Sequence, residues 1–261
     1  MSEMLEFDEE AARAVERVYS TADVVEQRRH VVAALAPLPG ERALDLGCGP
    51  GLLACELARA VGPGGHVLGL DASPSMLAMA ARRDCGPGAA PVEVAEADIA
   101  GPLPVGDAAV DLAVSTQVYE YVADIAAALA EARRALRPGG RLLVLDTDWD
   151  SIVWRAPDEA LMARVLAAWD EHLAHRDLPR RLPQLLREAG FTLEARSIVP
   201  LLNVGYAPTT YSGGLIGIVA GFVPGRGGVT EPEASAWAEG LRAMGPDYFF
   251  ALSRFMFLAR A

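Results

Sequence analysis

Apolar residues in the first half of the chain follow two alternating patterns. Short continuous apolar runs indicate buried strands, and the segments between them carry apolar residues at helical spacing. The predicted strands are 43–46, 66–70, 91–97, 110–115 and 141–145, and the predicted helices are 52–60, 74–83 and 123–136, with Ser73 as an N-cap. Strands and helices in this alternation predict an α/β fold with a mostly parallel sheet and helices on both faces.

The two ends of the chain follow other patterns. Residues 9–35 have helical spacing with a break at 19–21, which predicts a helical cover within residues 1–40. Beyond the core at 41–150, residues 158–175, 179–189 and 231–244 are predicted helices, and 191–199 and 248–258 are predicted strands. Residues 201–230 are rich in glycine and show no clear period. We therefore predict a single domain over residues 1–261, in which 151–261 carries an insertion at 200–245 before the last strand.

Charge and composition narrow the classes of function. The formal net charge is −12, so the average field disfavours nucleic-acid partners. We find neither a secretion signal nor a membrane span, and we expect a cytoplasmic protein that binds no membrane. The sequence contains arginine but no lysine, which suggests a GC-rich bacterial genome and excludes mechanisms that need a lysine side chain. Cys48, Cys55 and Cys85 form no CxxC pair, so we expect three buried thiols rather than a disulfide or a zinc site.

Chemistry-bearing residues follow three successive predicted strands. A glycine-rich turn, 47–51, follows the first strand, Asp71 ends the second and Asp98 ends the third. Ligands of such folds bind beyond the carboxyl ends of the strands, so these residues should lie together. The glycine turn alone would fit a nicotinamide or flavin cofactor as well as a nucleoside. Asp71 could accept hydrogen bonds from ribose hydroxyls and Asp98 from the amine of an adenine.

Four sequence segments together resemble the core of class I S-adenosylmethionine-dependent methyltransferases, in the group of ubiquinone/menaquinone-biosynthesis enzymes that act on small molecules. The segments are LDLGCGPG at 44–51, GLDASPSM at 69–76, Ala97-Asp98 and LRPGGRL at 136–142. The resemblance covers about 100 residues. It implies a Rossmann-like class I methyltransferase fold with a seven-stranded sheet whose last strand is antiparallel, and S-adenosyl-L-methionine as cofactor.

The resemblance also implies which residues hold the cofactor. The turn and Asp45 would wrap its methionine end, Asp71 would hold the ribose, Met76 and Ile99 would pack on the adenine, and residues 115–118 would lie along the methionine moiety. Arg28, from the cover, could reach the cofactor carboxylate. The expected cofactor-binding residues are Arg28, Asp45, Gly47, Cys48, Gly49, Gly51, Asp71, Ala72, Met76, Ala97, Asp98, Ile99, Ser115, Thr116 and Gln117.

Methyl transfer requires alignment of the acceptor, exclusion of water and, for some acceptors, a base. We expect Tyr19, Gln117, Asp146 and Asp148 to act on the acceptor. We also expect that the reaction requires no metal ion. Tyr121 is a further site candidate. Trp149 could contact the substrate or be core, and Tyr206 and Tyr211 could form an aromatic wall or pack the insertion. His172 and His175 have a spacing that metal ligands use, but no third ligand is evident, and we expect both to be solvated.

Two alternatives remain open at the level of sequence. The first is a NAD(P)-dependent oxidoreductase on a related fold, and the second is a non-catalytic protein that binds S-adenosylmethionine. Within the methyltransferase interpretation, the acceptor atom can be oxygen, nitrogen or carbon of a small organic molecule, with bacterial secondary metabolism as one setting. A polyketide, quinone or aromatic metabolite would suit the aromatic-dotted insertion. The chain can be a monomer or a homodimer.

Overall fold

One seven-stranded sheet organises the part of the chain that the computed structural model describes, residues 9–261. The strands are β1 (Arg42–Leu46), β2 (His66–Asp71), β3 (Val92–Glu96), β4 (Val110–Thr116), β5 (Leu136–Trp154), β6 (Thr192–Val204) and β7 (Phe249–Arg260). They lie in the order β3-β2-β1-β4-β5-β7-β6, and only β7 runs antiparallel to its neighbours. The predicted fold, with its antiparallel last strand and the insertion before it, is confirmed.

Helices cover both faces of the sheet. They are α1 (Glu9–Tyr19), α2 (Ala22–Leu35), α3 (Leu52–Val61), α4 (Pro74–Ala80), α5 (Ile125–Ala135), α6 (Glu159–Trp169), α7 (Leu182–Glu188), α8 (Tyr211–Phe222) and α9 (Glu231–Ala243). The predicted break in the N-terminal cover separates α1 from α2. Ser73 caps α4 as predicted, because its hydroxyl accepts a hydrogen bond from the Met76 amide at 3.4 Å. Among the described helices, none is long and apolar enough to cross a bilayer.

Several elements differ in length from the sequence prediction, and for two of them the physical reason is visible in the fold. Strand β5 continues to Trp154 because β7 pairs with it beyond an irregularity between Asp148 and Val153. Helix α8 occupies part of the segment in which we found no period. It is apolar on nearly all sides, with Leu215, Ile216 and Val219 buried, so it has no polar stripe to reveal a helical repeat.

Cys55 and Cys85 form a disulfide, contrary to the expectation of three thiols. The two Cα atoms are 4.9 Å apart, although the residues are 30 positions apart in sequence. They meet because the turn after α4 returns to α3, where the Arg59 side chain donates a hydrogen bond to the Cys85 carbonyl at 3.0 Å. No spacing motif announces such a tertiary approach. Cys48 is a free, buried thiol as expected.

Two glycines of α8 should respond in opposite ways to alanine. A Cβ at buried Gly213 would lie 2.1 Å from the Ala207 carbonyl oxygen, whereas one at exposed Gly217 would meet nothing within 4 Å. We expect Gly213→Ala to lower the free energy of unfolding by about 1–3 kcal/mol through overpacking. Gly217→Ala should raise it by about 0.5–1 kcal/mol, because alanine has less backbone entropy to lose. Urea denaturation measures both, and equal effects would contradict the packing described for α8.

Candidate active site

A cavity of about 900 Å³ opens beyond the carboxyl ends of β1, β2, β3 and β4, under the cover formed by α1 and α2. Its walls come from the segments 47–50, 71–74, 97–100, 116–118 and 121–123, together with side chains of the cover. The parallel register brings these segments together, since Leu46 lies beside Leu70 on one side and beside Ser115 on the other. The predicted convergence of the strand ends is therefore present.

The glycine turn between β1 and α3 is held close to its neighbours. The amides of Gly47 and Cys48 donate to the Leu70 carbonyl at 2.7 and 2.9 Å. Gly47 has a φ of +72°, and a Cβ there would lie 2.3 Å from a methyl carbon of Val118. Gly49 has a φ of +51° and nothing within 4 Å of a Cβ position, so its backbone stays open to the cavity. The turn thus combines tight packing on one side with accessible backbone on the other.

Asp71 ties the glycine turn to the start of α4. One carboxylate oxygen accepts the Gly49 amide at 2.8 Å, and the other accepts the Ser73 amide at 2.9 Å. Burial raises the pKa of Asp71, and these amide donors oppose that rise. Because each carboxylate oxygen can accept more than one hydrogen bond, Asp71 retains acceptor capacity toward the cavity that it lines.

Asp98 lines the same cavity beyond the end of β3. Its carboxylate accepts the Ala100 amide at 2.9 Å, and the side chain is exposed. Buried Ile99 and Met76 supply apolar surface in the cavity wall nearby. This end of the cavity therefore offers two carboxylates and two apolar side chains, as the sequence predicts.

Asp45 lies behind the turn and does not line the cavity. The side chain is 1% exposed, and one carboxylate oxygen has no hydrogen-bond partner among the described residues. Burial raises the pKa of Asp45 to about 7, the negative charge of Asp71 adds to the rise, and the Ala54 amide opposes it. Gly51 and Ser115 are likewise outside the cavity wall. The other expected cofactor residues line it: Arg28, Gly47, Cys48, Gly49, Asp71, Ala72, Met76, Ala97, Asp98, Ile99, Thr116 and Gln117.

The cover is anchored through Arg28. Its guanidinium donates to the Glu56 carboxylate of α3 at 2.8 Å and to the Tyr19 carbonyl at 2.5 Å. Tyr19 lines the cavity at the end of α1, and burial raises its pKa. Arg28 therefore holds α1 and α2 over the glycine turn while also forming part of the cavity wall.

A set of buried polar side chains lies around the segment that follows β4. Gln117 has a φ of +57°, and its backbone N–H donates to the Leu145 carbonyl at 2.7 Å. The Asp146 carboxylate accepts the Val118 amide at 3.1 Å. Glu120 and Asp146 are both fully buried, and neither lines the cavity. We call Glu120, Asp146 and Arg254 the buried charge cluster.

The members of the buried charge cluster affect one another. Burial raises the pKa of Glu120 to about 7, while the Thr147 amide and the Arg254 cation lower it. The pKa of Asp146 lies well above its usual range, first because of burial and then because of the Glu120 charge. Arg254 is fully buried on β7, donates to the side chain of Gln27 and lies 4.5 Å above the Tyr211 ring. Two carboxyl groups therefore share the field of one guanidinium.

Several predicted residues lie away from the cavity. Asp148 accepts two hydrogen bonds at 2.9 Å from the Arg180 guanidinium, so its charge is already paired. Trp149 packs edge-on against Trp169, with ring centroids 6.0 Å apart, and is core. His172 is 1% exposed, so the expectation that it is solvated was wrong; burial lowers its pKa to about 4.

Glu120 and Arg254 had no place among the residues predicted from sequence. Glu120 lies between two tyrosines in a segment without a recognisable motif, and Arg254 belongs to the long apolar strand β7. A lone arginine inside an apolar strand was the available signal. Within residues 9–261, no group of three or more His, Cys, Asp or Glu side chains could hold a metal ion.

Comparisons with known proteins agree with this geometry. Residues 44–144 match the family model described as a methyltransferase domain. The chain is 35% identical over 187 residues to an uncharacterised 37.1 kDa protein in transposon Tn4556 of Streptomyces fradiae. The matched region covers 71% of this chain and 53% of that protein. It is 34% identical over 173 residues to the O-methyltransferase cnsE of Penicillium expansum, covering 66% and 60%. The chain thus spans a little over half the length of these curated relatives.

A solved structure extends the agreement to the fold. Phosphoethanolamine N-methyltransferase 2 of Haemonchus contortus, in complex with S-adenosyl-L-methionine, matches 98% of this chain and 58% of its own, with a TM-score of 0.63 and 18% identity. Identity this low shows the fold alone. The chain has the class I methyltransferase fold, and residues 44–144 match the model of a methyltransferase domain, in agreement with the resemblance stated from the sequence.

Replacement of Asp45 by asparagine should flatten the pH dependence of stability. The pKa of about 7 in the folded protein lies above the ordinary aspartate value of 3.8, so the unfolded chain loses this proton first. The stabilisation from the neutral carboxyl is complete below pH 4 and is lost as the pH rises toward 7. Urea denaturation should therefore show a smaller loss of unfolding free energy between pH 4 and 7 in Asp45→Asn than in the wild type. Parallel curves would contradict a buried, neutral Asp45.

Proposed function

We propose that this protein is an S-adenosyl-L-methionine-dependent methyltransferase that methylates a small organic molecule. The observation that carries the proposal is the combination within one cavity of an open glycine turn, Asp71 and Asp98 at successive strand ends, and a polar inner wall formed by Tyr19 and Gln117. The match of residues 44–144 to the methyltransferase domain supports it. A volume of about 900 Å³ leaves room for an acceptor beside a nucleoside.

The residues present fit the cofactor. Asp71 can accept hydrogen bonds from ribose hydroxyls, and Asp98 can accept one from the adenine amine. The side chains of Met76 and Ile99 provide apolar surface for the adenine faces. The open backbone at Gly49 lets an amino-acid moiety approach without a clash. When bound, S-adenosylmethionine supplies an electrophilic methyl group on a sulfonium. Thr116 and Gln117 would lie along its methionine portion.

The remaining predicted residues receive different tasks in this proposal. Tyr19 and Gln117 contact and orient the acceptor, because both line the cavity. Asp146 fixes the segment after β4 through its bond to the Val118 amide, and Asp148 fixes the connection to Arg180. Asp45 supports the glycine turn from behind. The cover of α1 and α2 excludes water from the reacting groups.

The setting of the reaction is part of the same proposal. The relative named as an O-methyltransferase favours oxygen as the methylated atom. The net charge of −12 argues against a nucleic-acid substrate. We place the protein in a bacterial cytoplasm as a monomer or homodimer, although the Cys55–Cys85 disulfide is less typical of that compartment.

Replacement of Asp71 by alanine should weaken cofactor binding. We expect the affinity for S-adenosylhomocysteine, measured by calorimetry, to fall about ten- to a hundredfold, as the loss of charge-assisted hydrogen bonds implies. Glu239→Ala, which removes an exposed carboxylate from α9, is the matched control and should bind as the wild type does. Thermal unfolding should show that both variants are folded.

The same titration distinguishes the oxidoreductase alternative. NADH should produce no heat of binding under conditions in which S-adenosylhomocysteine saturates the protein. Unchanged affinity in Asp71→Ala, or tight binding of NADH in place of S-adenosylhomocysteine, would contradict the proposed function.

A further inference from the structure

Glu120 adjoins Tyr121, a residue of the cavity wall. Tyr121 lines the cavity, whereas Glu120 is fully buried. One Glu120 oxygen accepts the Thr147 amide at 3.1 Å. The other has no bonded partner at hydrogen-bond distance among the described residues, and the Tyr121 hydroxyl and the Trp149 indole N–H face the carboxyl as donors. Tyr121 therefore stands between the cavity and a carboxyl group with acceptor capacity to spare.

The buried charge cluster is incompletely paired, which is unfavourable for the stability of the fold. Burial of an ion without full pairing is energetically unfavourable, because the ion loses its hydration. Arg254 nevertheless has two guanidinium nitrogens, Nε and Nη2, without hydrogen-bond partners among the described residues. The cluster holds two carboxyls against one cation, so it is neutral when the pair of carboxyls retains one proton. Burial raises the pKa of both carboxyls and the Arg254 cation opposes that rise, so the two carboxyls titrate as a pair.

We propose that the Glu120 carboxylate, acting through the Tyr121 hydroxyl, takes up the proton that a hydroxyl acceptor loses on methylation, and that Arg254 keeps this carboxylate ionised. The inference rests on the proposed function and names the acceptor class as an alcohol or phenol. A hydroxyl is a weak nucleophile until its proton is removed, so it gains from a built-in base. A neutral amine attacks through its lone pair without one.

The step balances in atoms and charge. The acceptor oxygen forms a bond to the methyl carbon while the carbon–sulfur bond breaks and its electron pair stays on sulfur. The hydroxyl proton of the acceptor goes to the Tyr121 oxygen, and the proton of Tyr121 goes to Glu120. One positive charge on sulfur and one negative charge on Glu120 are both removed, leaving a methyl ether, a thioether and a neutral carboxylic acid.

Groups from several elements set the protonation of Glu120. Tyr121 adjoins it in sequence, and its ring lies 5.7 Å from that of His172, which burial keeps neutral. The polar and charged groups that act on Glu120 or Tyr121 from other elements are Asp146, Thr147 and Trp149 of β5, Arg254 of β7, Tyr19 of α1 and Tyr211 of α8. Arg254 is the one cation in this set, so its removal should make Glu120 harder to ionise.

Proton release on ligand binding tests the proposal without an acceptor. S-adenosylmethionine and S-adenosylhomocysteine differ in the methyl group and its positive charge, so Asp71, which lines the cavity, faces a part that the two ligands share. A positive charge beside Glu120 favours its ionised form. Near pH 7, calorimetry in buffers of different ionisation heat should show S-adenosylmethionine releasing a larger fraction of a proton than S-adenosylhomocysteine. Glu120→Gln, which keeps an acceptor for the Thr147 amide, should abolish this difference.

Matched variants make the result specific. Glu239→Gln should leave the difference intact, and Arg254→Gln should move its maximum to higher pH, because loss of the cation raises the pKa of Glu120. A difference that persists in Glu120→Gln, or none in the wild type when both ligands bind, would overturn the proposal while leaving the proposed function standing. Failure of both ligands to bind would remove the proposed function and this inference together.

Kinetics test the acceptor class and the role of Tyr121. With methyl-tritiated S-adenosylmethionine and a panel of phenols, alcohols and amines, we expect hydroxyl compounds to be methylated. Tyr121→Phe should lower kcat on the order of 100-fold with KM and S-adenosylhomocysteine affinity little changed. The acidic limb of the kcat profile should disappear in Glu120→Gln. Methylation of none of the hydroxyl compounds, or an undiminished rate in Tyr121→Phe, would count against the proposal.

Discussion

The hydrogen bonds from the Gly49 and Ser73 amides to the Asp71 carboxylate are the interaction on which the site depends. They join the glycine turn after β1 to the start of α4 after β2, and they can form only because these two parallel strands end side by side. The same carboxylate then faces the cavity. One side chain therefore fixes the shape of the turn and, in the proposed function, also provides the acceptor for a ribose.

The opposite end of the cavity follows a different principle. Here the sheet brings β5 and β7 into an antiparallel pair that places Thr147 beside Arg254, whose buried cation acts electrostatically on the carboxyls of Glu120 and Asp146. In low dielectric, each charge strongly alters the protonation of the others. A carboxyl group with a pKa of about 7 can both hold and release a proton near neutral pH. The proposed proton transfer uses this property directly.

The sequence predicts the parts of this protein that depend on local pattern and on strand order. The alternation of strands and helices, the cap at Ser73, the glycine turn and the carboxylates Asp71 and Asp98 are all local signals, and the parallel topology brings them together. The sequence could not predict features that arise when distant segments of the chain meet in the fold. The Cys55–Cys85 pairing, the burial of His172 and the proximity of Arg254 to Glu120 depend on segments far apart in the chain. Helix α8 was missed because it is apolar on nearly all sides.

We propose that a nucleoside thioether or sulfonium binds across the strand ends, with its sulfur directed toward Gln117 and Tyr121. A crystal structure of the protein with S-adenosylhomocysteine tests this most directly. We expect ribose hydroxyls within hydrogen-bond distance of Asp71, an adenine between Met76 and Ile99, and sulfur on the side of Gln117 and Tyr121. A ligand bound elsewhere, or one with its sulfur turned away from Gln117 and Tyr121, would contradict it.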